Sequence, residues 1–143
     1  MYKSAVRWMI RRNVRALRAG DPGPLLAGYS DDAVLVFPGE SSWSGEHRGK
    51  AAIEAFLRRF LENGLVGETE DILVNGPPWR TTICVLFLVN ATDAAGTVVY
   101  ENRAVLFVRA VWGRIVYQED FENTHKVEAF EAFLARGQTA GRT

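Results

Sequence analysis

Gly96–Thr124 reads GTVVYENRAVLFVRAVWGRIVYQEDFENT. Two strand-like runs, Val98–Ala110 and Arg114–Glu122, flank a tight turn at Val111-Trp112-Gly113, so the stretch predicts a long β-hairpin. Side chains alternate along a strand. Val116, Gln118 and Asp120 therefore share one face, and Ile115, Tyr117, Glu119 and Phe121 the other. One face places a carboxylate beside apolar neighbours. Where that face lines a cavity, Asp120 becomes a desolvated acid with a raised pKa, the usual way to obtain a general base or acid near neutral pH. Glu119 falls on the opposite face and joins Asp120 only through a bulge.

Outward from the hairpin, the 143 residues are 48% hydrophobic and 24% charged, which predicts one globular domain over residues 1–137 and a disordered tail over 138–143. Seventeen basic residues balance seventeen acidic ones, so the overall charge gives no argument for a nucleic-acid partner. The one cysteine, Cys84, allows no intramolecular disulfide and no cysteine metal cluster, which fits a cytoplasmic protein. No run approaches the length of a membrane span, no segment resembles a secretory signal, and no membrane partner is expected.

Ser4–Arg18 carries Val6, Ile10, Val14 and Leu17 at helical spacing, with Lys3, Arg7, Arg11, Arg15 and Arg18 off that stripe. An arginine-rich, acid-free start also fits a transit peptide or a grip on an anionic surface; the amphipathic pattern explains it as the solvated back of a core-facing helix. Asp21-Pro22 starts a second short helix through about Tyr29, and Ser30-Asp31-Asp32 reads as a turn before a strand at Ala33–Phe37. Glu40–Gly49 reads as a loop holding Trp43 and His47, the first either covering core or lidding a ligand. Lys50–Asn63 is the clearest helix, with Ile53, Phe56, Leu57, Phe60 and Leu61 in one stripe. Trp79–Asn90 is β-branched and aromatic throughout, predicting a central strand buried on both faces. Thr124–Arg136 closes the chain as a helix stopped by Gly137, with Asn123 and Thr124 as candidate caps. Helices gathered early and strands gathered late predict an α+β fold, a cone-like curved antiparallel sheet wrapped around helices.

This order resembles the nuclear transport factor two-like superfamily, also described as cystatin-like α+β barrels, and within it SnoaL-like polyketide cyclases and ketosteroid isomerase-like proteins. The likeness is carried by the opening helical pair with YSDDAVLVFPG (29–39), by SGEHRGKAAIEAFLRRF (44–60), by YENRAVLFVR (100–109) and by WGRIVYQEDFENT (112–124). It implies an apolar cavity between sheet and helices and a homodimer formed through the outer sheet face. It also implies a cavity-facing acid at Asp120, acting on an apolar carbonyl compound, polyketide- or steroid-like, by isomerisation or cyclisation; the sequence shows no glycine-rich phosphate loop, no histidine pair at metal-ligand spacing and no serine nucleophile elbow, so no cofactor or metal is expected. Ligand contacts are expected from Phe37, Trp43, Phe56, Trp79 and Gln118, with hydrogen-bond donors among His47, Trp79, Tyr100 and Asn102. Two other readings stand beside it: a non-catalytic ligand-binding or dimerising module, and a limonene epoxide hydrolase-like enzyme. Those hydrolases hold a water with a tyrosine and an asparagine on the first strand, where this chain places Val34 and Val36, and use an Arg-x-Asp pair where it has Arg80-Thr81-Thr82. An ion pair of Asp120 with Arg103 or Arg114, or a capping role, is the purely structural alternative.

Overall fold

The computed structural model describes residues 1–140. Helix α1 (Tyr2–Arg18) and the short α2 (Gly23–Ala27) lead into β1 (Tyr29–Phe37), β2 (Gly45–Arg48) and α3 (Lys50–Glu62). Strands β3 (Val66–Asn75), β4 (Thr81–Thr92), β5 (Val98–Val111) and β6 (Arg114–Glu122) follow, and α4 (Thr124–Ala140) ends the description. The strands form one six-stranded sheet in the order β2-β1-β6-β5-β4-β3. It is curled and left open, with β2 and β3 as its edges, and it is not wholly antiparallel because β1 runs parallel to β6. Among the described residues no helix is long and apolar enough to cross a membrane.

Helix α1 buries Val14 and Leu17, with Val6 and Ile10 packed beside them. Its arginines are not all solvated. Arg7 Nε donates to the Ile72 carbonyl at 3.1 Å and Arg11 Nη1 to Thr69 Oγ1 at 3.1 Å, so two cations blunt the free edge of β3. The Asp21 carboxylate accepts the Gly23 N–H at 2.9 Å and starts α2, which stops at Ala27 instead of running to Tyr29. Ser30, Asp31 and Asp32 lie inside β1 in place of the expected turn, in the irregular stretch between the Tyr29–Ile115 and Val34–Tyr117 pairs with β6. The expected loop over 40–49 contains β2, paired with β1 from Val34–Arg48 to Phe37–Gly45. Strand β4 begins at Thr81, so Trp79 is outside it, and only one of its faces is fully buried.

The hairpin turns on two residues. Trp112 at φ 50° and Gly113 at φ 78° give the mirror-image turn that follows strand twist. Ala110 faces Ile115, but Arg109 faces Tyr117, which leaves Val116 as a bulge. The bulge shifts the alternation by one residue. Ile115 therefore packs against the core instead of sharing a face with Tyr117, while Gln118 and Asp120 turn inward. Helix α4 passes Gly137 and reaches Ala140; the rest of the expected disordered tail, 141–143, lies outside the described residues.

Candidate functional site

The concave face of the sheet and the helices enclose a cavity of about 110 Å³. Its walls are mostly apolar: Val14 and Leu17 from α1, Phe56, Leu57 and Phe60 from α3, Leu35 and Phe37 from β1, and Val127 and Phe130 from α4. Alternation along β6 then delivers three polar side chains, Gln118, Asp120 and Glu122, into that space. Leu106 stands opposite Asp120 on β5, and Leu35 stands opposite Gln118 on β1.

Two hydrogen-bonded chains hold these groups. Tyr29 donates its phenol proton to Gln118 Oε1, and Gln118 Nε2 donates to Asp120 Oδ1 at 3.0 Å. Asp120 is 6% exposed, and its second oxygen has no hydrogen-bond partner among the described residues. On the other side, Glu122 Oε2 accepts from Tyr100 at 3.2 Å and from Asn102 Nδ2 at 3.0 Å. Burial pushes the Asp120 carboxyl up to about 7; the Gln118 bond restrains the rise, and the charges of Glu122 and Glu119 add to it. Burial likewise lifts Glu122 to about 7 against the Tyr100 bond. Both buried phenols are pushed upward, first by burial and then by the neighbouring carboxylates, Asp120 for Tyr29 and Glu122 for Tyr100. No lysine, arginine or histidine lines the cavity among the described residues. The site can thus hold two exchangeable protons near neutral pH in an apolar setting.

Phe37, Trp43, Phe56, Tyr100, Gln118 and Asp120 line this cavity together. Three other expected contacts do not. His47 Nε2 donates to the Trp43 carbonyl at 2.8 Å and its ring packs edge-on to Phe56 at 4.9 Å, so it fixes the Trp43 loop from behind. Trp79 stands 57% exposed at the far end of the sheet, against Trp112. Asn102 is buried behind the lining, where its amide binds Tyr100, Glu122 and the Asn123 carbonyl. Trp43 itself is sandwiched by Phe56 and by the Arg59 guanidinium, 4.0 Å above its ring. Neither expected ion pair of Asp120 forms: Arg103 bonds Glu70 at 2.8 Å and Arg114 is exposed. Asn123 Oδ1 accepts the His125 N–H at 3.1 Å and caps α4.

Two polar lining residues went unforeseen, Glu122 and Tyr29. Glu122 follows from the same alternation as Asp120. Tyr29 also puts a phenol on the first strand, ahead of Val34 and Val36, where none was expected. Among the described residues no three His, Cys, Asp or Glu side chains are grouped as metal ligands would be.

The model of the SnoaL-like domain matches residues 10–118. The chain belongs to the SnoaL-like domain family. That match ends before Asp120 and Glu122, so membership does not assign their roles. Among solved structures the SnoaL-like chain is similar to Bal32a from a soil-derived mobile gene cassette, at 19% identity and TM-score 0.72, covering 90% of this chain and 95% of that one. A candidate isomerase from Rhodopseudomonas palustris aligns at 17% identity and TM-score 0.67 over 87% and 94% of the two chains. An NTF2-like protein from Burkholderia xenovorans aligns at 18% and 0.61 over 86% and 92%. These likenesses establish the NTF2-like fold and no more. A search of curated proteins finds no match to this sequence.

Proposed function

We propose that this SnoaL-like protein binds an apolar carbonyl compound, polyketide- or steroid-like, and isomerises or cyclises it without a cofactor, with Asp120 as the proton-transferring group. The observation that carries the reading is the Asp120 carboxyl, buried in an apolar cavity, oriented by Gln118 through one oxygen and open through the other. A carboxyl titrating near 7 is matched to removing a proton beside a carbonyl and returning it elsewhere. As the carbon–hydrogen bond breaks, its electron pair moves onto the carbonyl oxygen, and that charge needs donors. Tyr100 and protonated Glu122 sit in the same cavity to supply them. The R. palustris neighbour agrees with an isomerase assignment through its fold alone.

The reading includes a homodimer through the outer sheet face, where Leu73, Val105 and Phe121 are exposed. Glu122 also supplies the second pocket acid that an epoxide hydrolase would require, but no arginine lines the cavity among the described residues.

The test is conjugation of a panel of β,γ-unsaturated ketones, followed by ultraviolet absorbance. Wild type should accelerate at least one member, and Asp120→Asn should lose about 10²–10⁴-fold of that rate. Ketone binding with no turnover by wild type would favour the non-catalytic ligand-binding module.

A further inference from the structure

A second concentration of unusual side chains sits at the other end of the β5–β6 hairpin. Trp112 occupies the first position of the two-residue turn at φ 50°, where asparagine, aspartate or glycine is favoured and a bulky residue is costly. The ring gains little burial in exchange, since Trp112 is 70% exposed. Its centroid lies 5.9 Å from that of Trp79, from the loop joining β3 to β4. Backbone bonds hold both in place: the Trp112 N–H donates to the Pro78 carbonyl at 2.8 Å, and the Arg80 N–H to the Pro77 carbonyl at 3.0 Å. Thr81 Oγ1 also donates to Pro77, and it meets the Tyr2 hydroxyl, which brings the start of α1 to the same end.

Charge is segregated here. Residues 1–20, 72–92 and 102–118 contain no aspartate or glutamate, although the whole chain is neutral. Lys3, Arg80, Arg109 and Arg114 are exposed, and among the described residues none of the four forms an ion pair. The acid that pairing brings nearest is Glu119, which faces Phe107 and accepts the Tyr117 hydroxyl proton at 2.5 Å, while Asp31 at the start of β1 is engaged by Lys50 at 3.8 Å.

We infer that this pole is a docking surface for an anionic phospholipid bilayer, with the Trp79 and Trp112 indoles entering the headgroup layer and Arg80 and Arg114 meeting lipid phosphates. Indole rings settle at headgroup depth, and cations flanking them add attraction to an anionic leaflet. Resting on a bilayer needs no spanning helix, and among the described residues no helix is long and apolar enough to cross one. The docking surface is independent of the chemistry in the cavity.

Flotation of the full chain with phosphatidylcholine vesicles, with and without phosphatidylglycerol, tests it. Wild type should float only with the phosphatidylglycerol vesicles, with a blue shift of tryptophan emission. Arg80→Glu and Arg114→Glu should each weaken that binding by at least about fivefold. Trp112→Asn gives the turn a favoured residue, so it should weaken vesicle binding severalfold while the melting temperature holds or rises. Equal binding to both vesicle types, or unchanged binding by all three variants, overturns the inference. So does a wild type that ignores vesicles and instead forms a dimer that Trp112→Asn dissociates, which would give the pole to a second copy of the chain.

Discussion

At one end of the β5–β6 hairpin, Asp120 and Glu122 are enclosed by leucine, phenylalanine and valine side chains; at the other, Trp112 and Trp79 stand in solvent beside unpaired arginines. A hairpin serving only the fold would place these groups the other way round. The inward end loses stability by desolvating two carboxyls, and the outward end by holding a tryptophan in a left-handed turn. The supports differ as well. Asp120 is held through side chains, by Gln118 and behind it Tyr29 of the adjacent strand β1, whereas Trp112 is held through its backbone, by the Pro78 carbonyl of the β3–β4 loop. The fold tolerates two local penalties on one ladder because the strands between them are well buried and well paired.

The largest effect is expected at Asp120. Its carboxyl titrates at 3.8 in the unfolded chain and near 7 when folded, so between those values the folded state holds a proton that the unfolded state has released. Its contribution to stability is full below pH 3.8, declines as pH rises and is lost above about 7. The fall is about 4 kcal/mol from this group, with Glu122 adding a fall of the same sign. Denaturant melts of wild type and Asp120→Asn from pH 4 to 8 should show the variant with a shallower fall and about 2–4 kcal/mol more stable at the alkaline end. An equally steep fall in the variant would remove Asp120 from the account.

A smaller effect is expected one step back. Gln118→Leu strands the Tyr29 phenol without its acceptor, costing about 1–3 kcal/mol, and removes the bond that restrains Asp120, so the Asp120 titration should move higher still. Chemical denaturation and carboxyl NMR of that variant read the two parts separately. The smallest effect belongs to the tip, where Trp112→Asn should gain up to about 1 kcal/mol by relieving the turn. A loss there would mean that the paired indoles serve the fold.

Much of this was legible wherever one face of an element is buried. The hairpin, α3 and most of β4 follow from alternation or helical spacing, because burial on one side imposes those periods. Strand β2 was hidden because its four residues at the sheet edge bury no side chain fully, and so leave no core pattern. The first half of β1 was hidden because Ser30, Asp31 and Asp32 favour turns, and the strand is carried past them by the pairs on either side, Tyr29–Ile115 and Val34–Tyr117. At the site, alternation led to Gln118 and Asp120 and extended equally to Glu122. Tyr29 could not be read locally, since its bond to Gln118 depends on β1 lying beside β6. His47 and Trp79 show the converse: residue type marked them as ligand contacts, and the fold uses one to brace a loop and leaves the other outside.

The most direct measurement is the pKa of Asp120 itself, by carbon-detected NMR titration of wild type with Asp120→Asn used to assign the carboxyl signal, repeated in the presence of a steroid ketone. A value near 7 that moves on ketone addition is the result expected of a desolvated acid in an apolar cavity. A value at or below the ordinary 3.8, unchanged by the ketone, would mean a solvated or ion-paired carboxylate and would contradict Asp120 as the proton-transferring group.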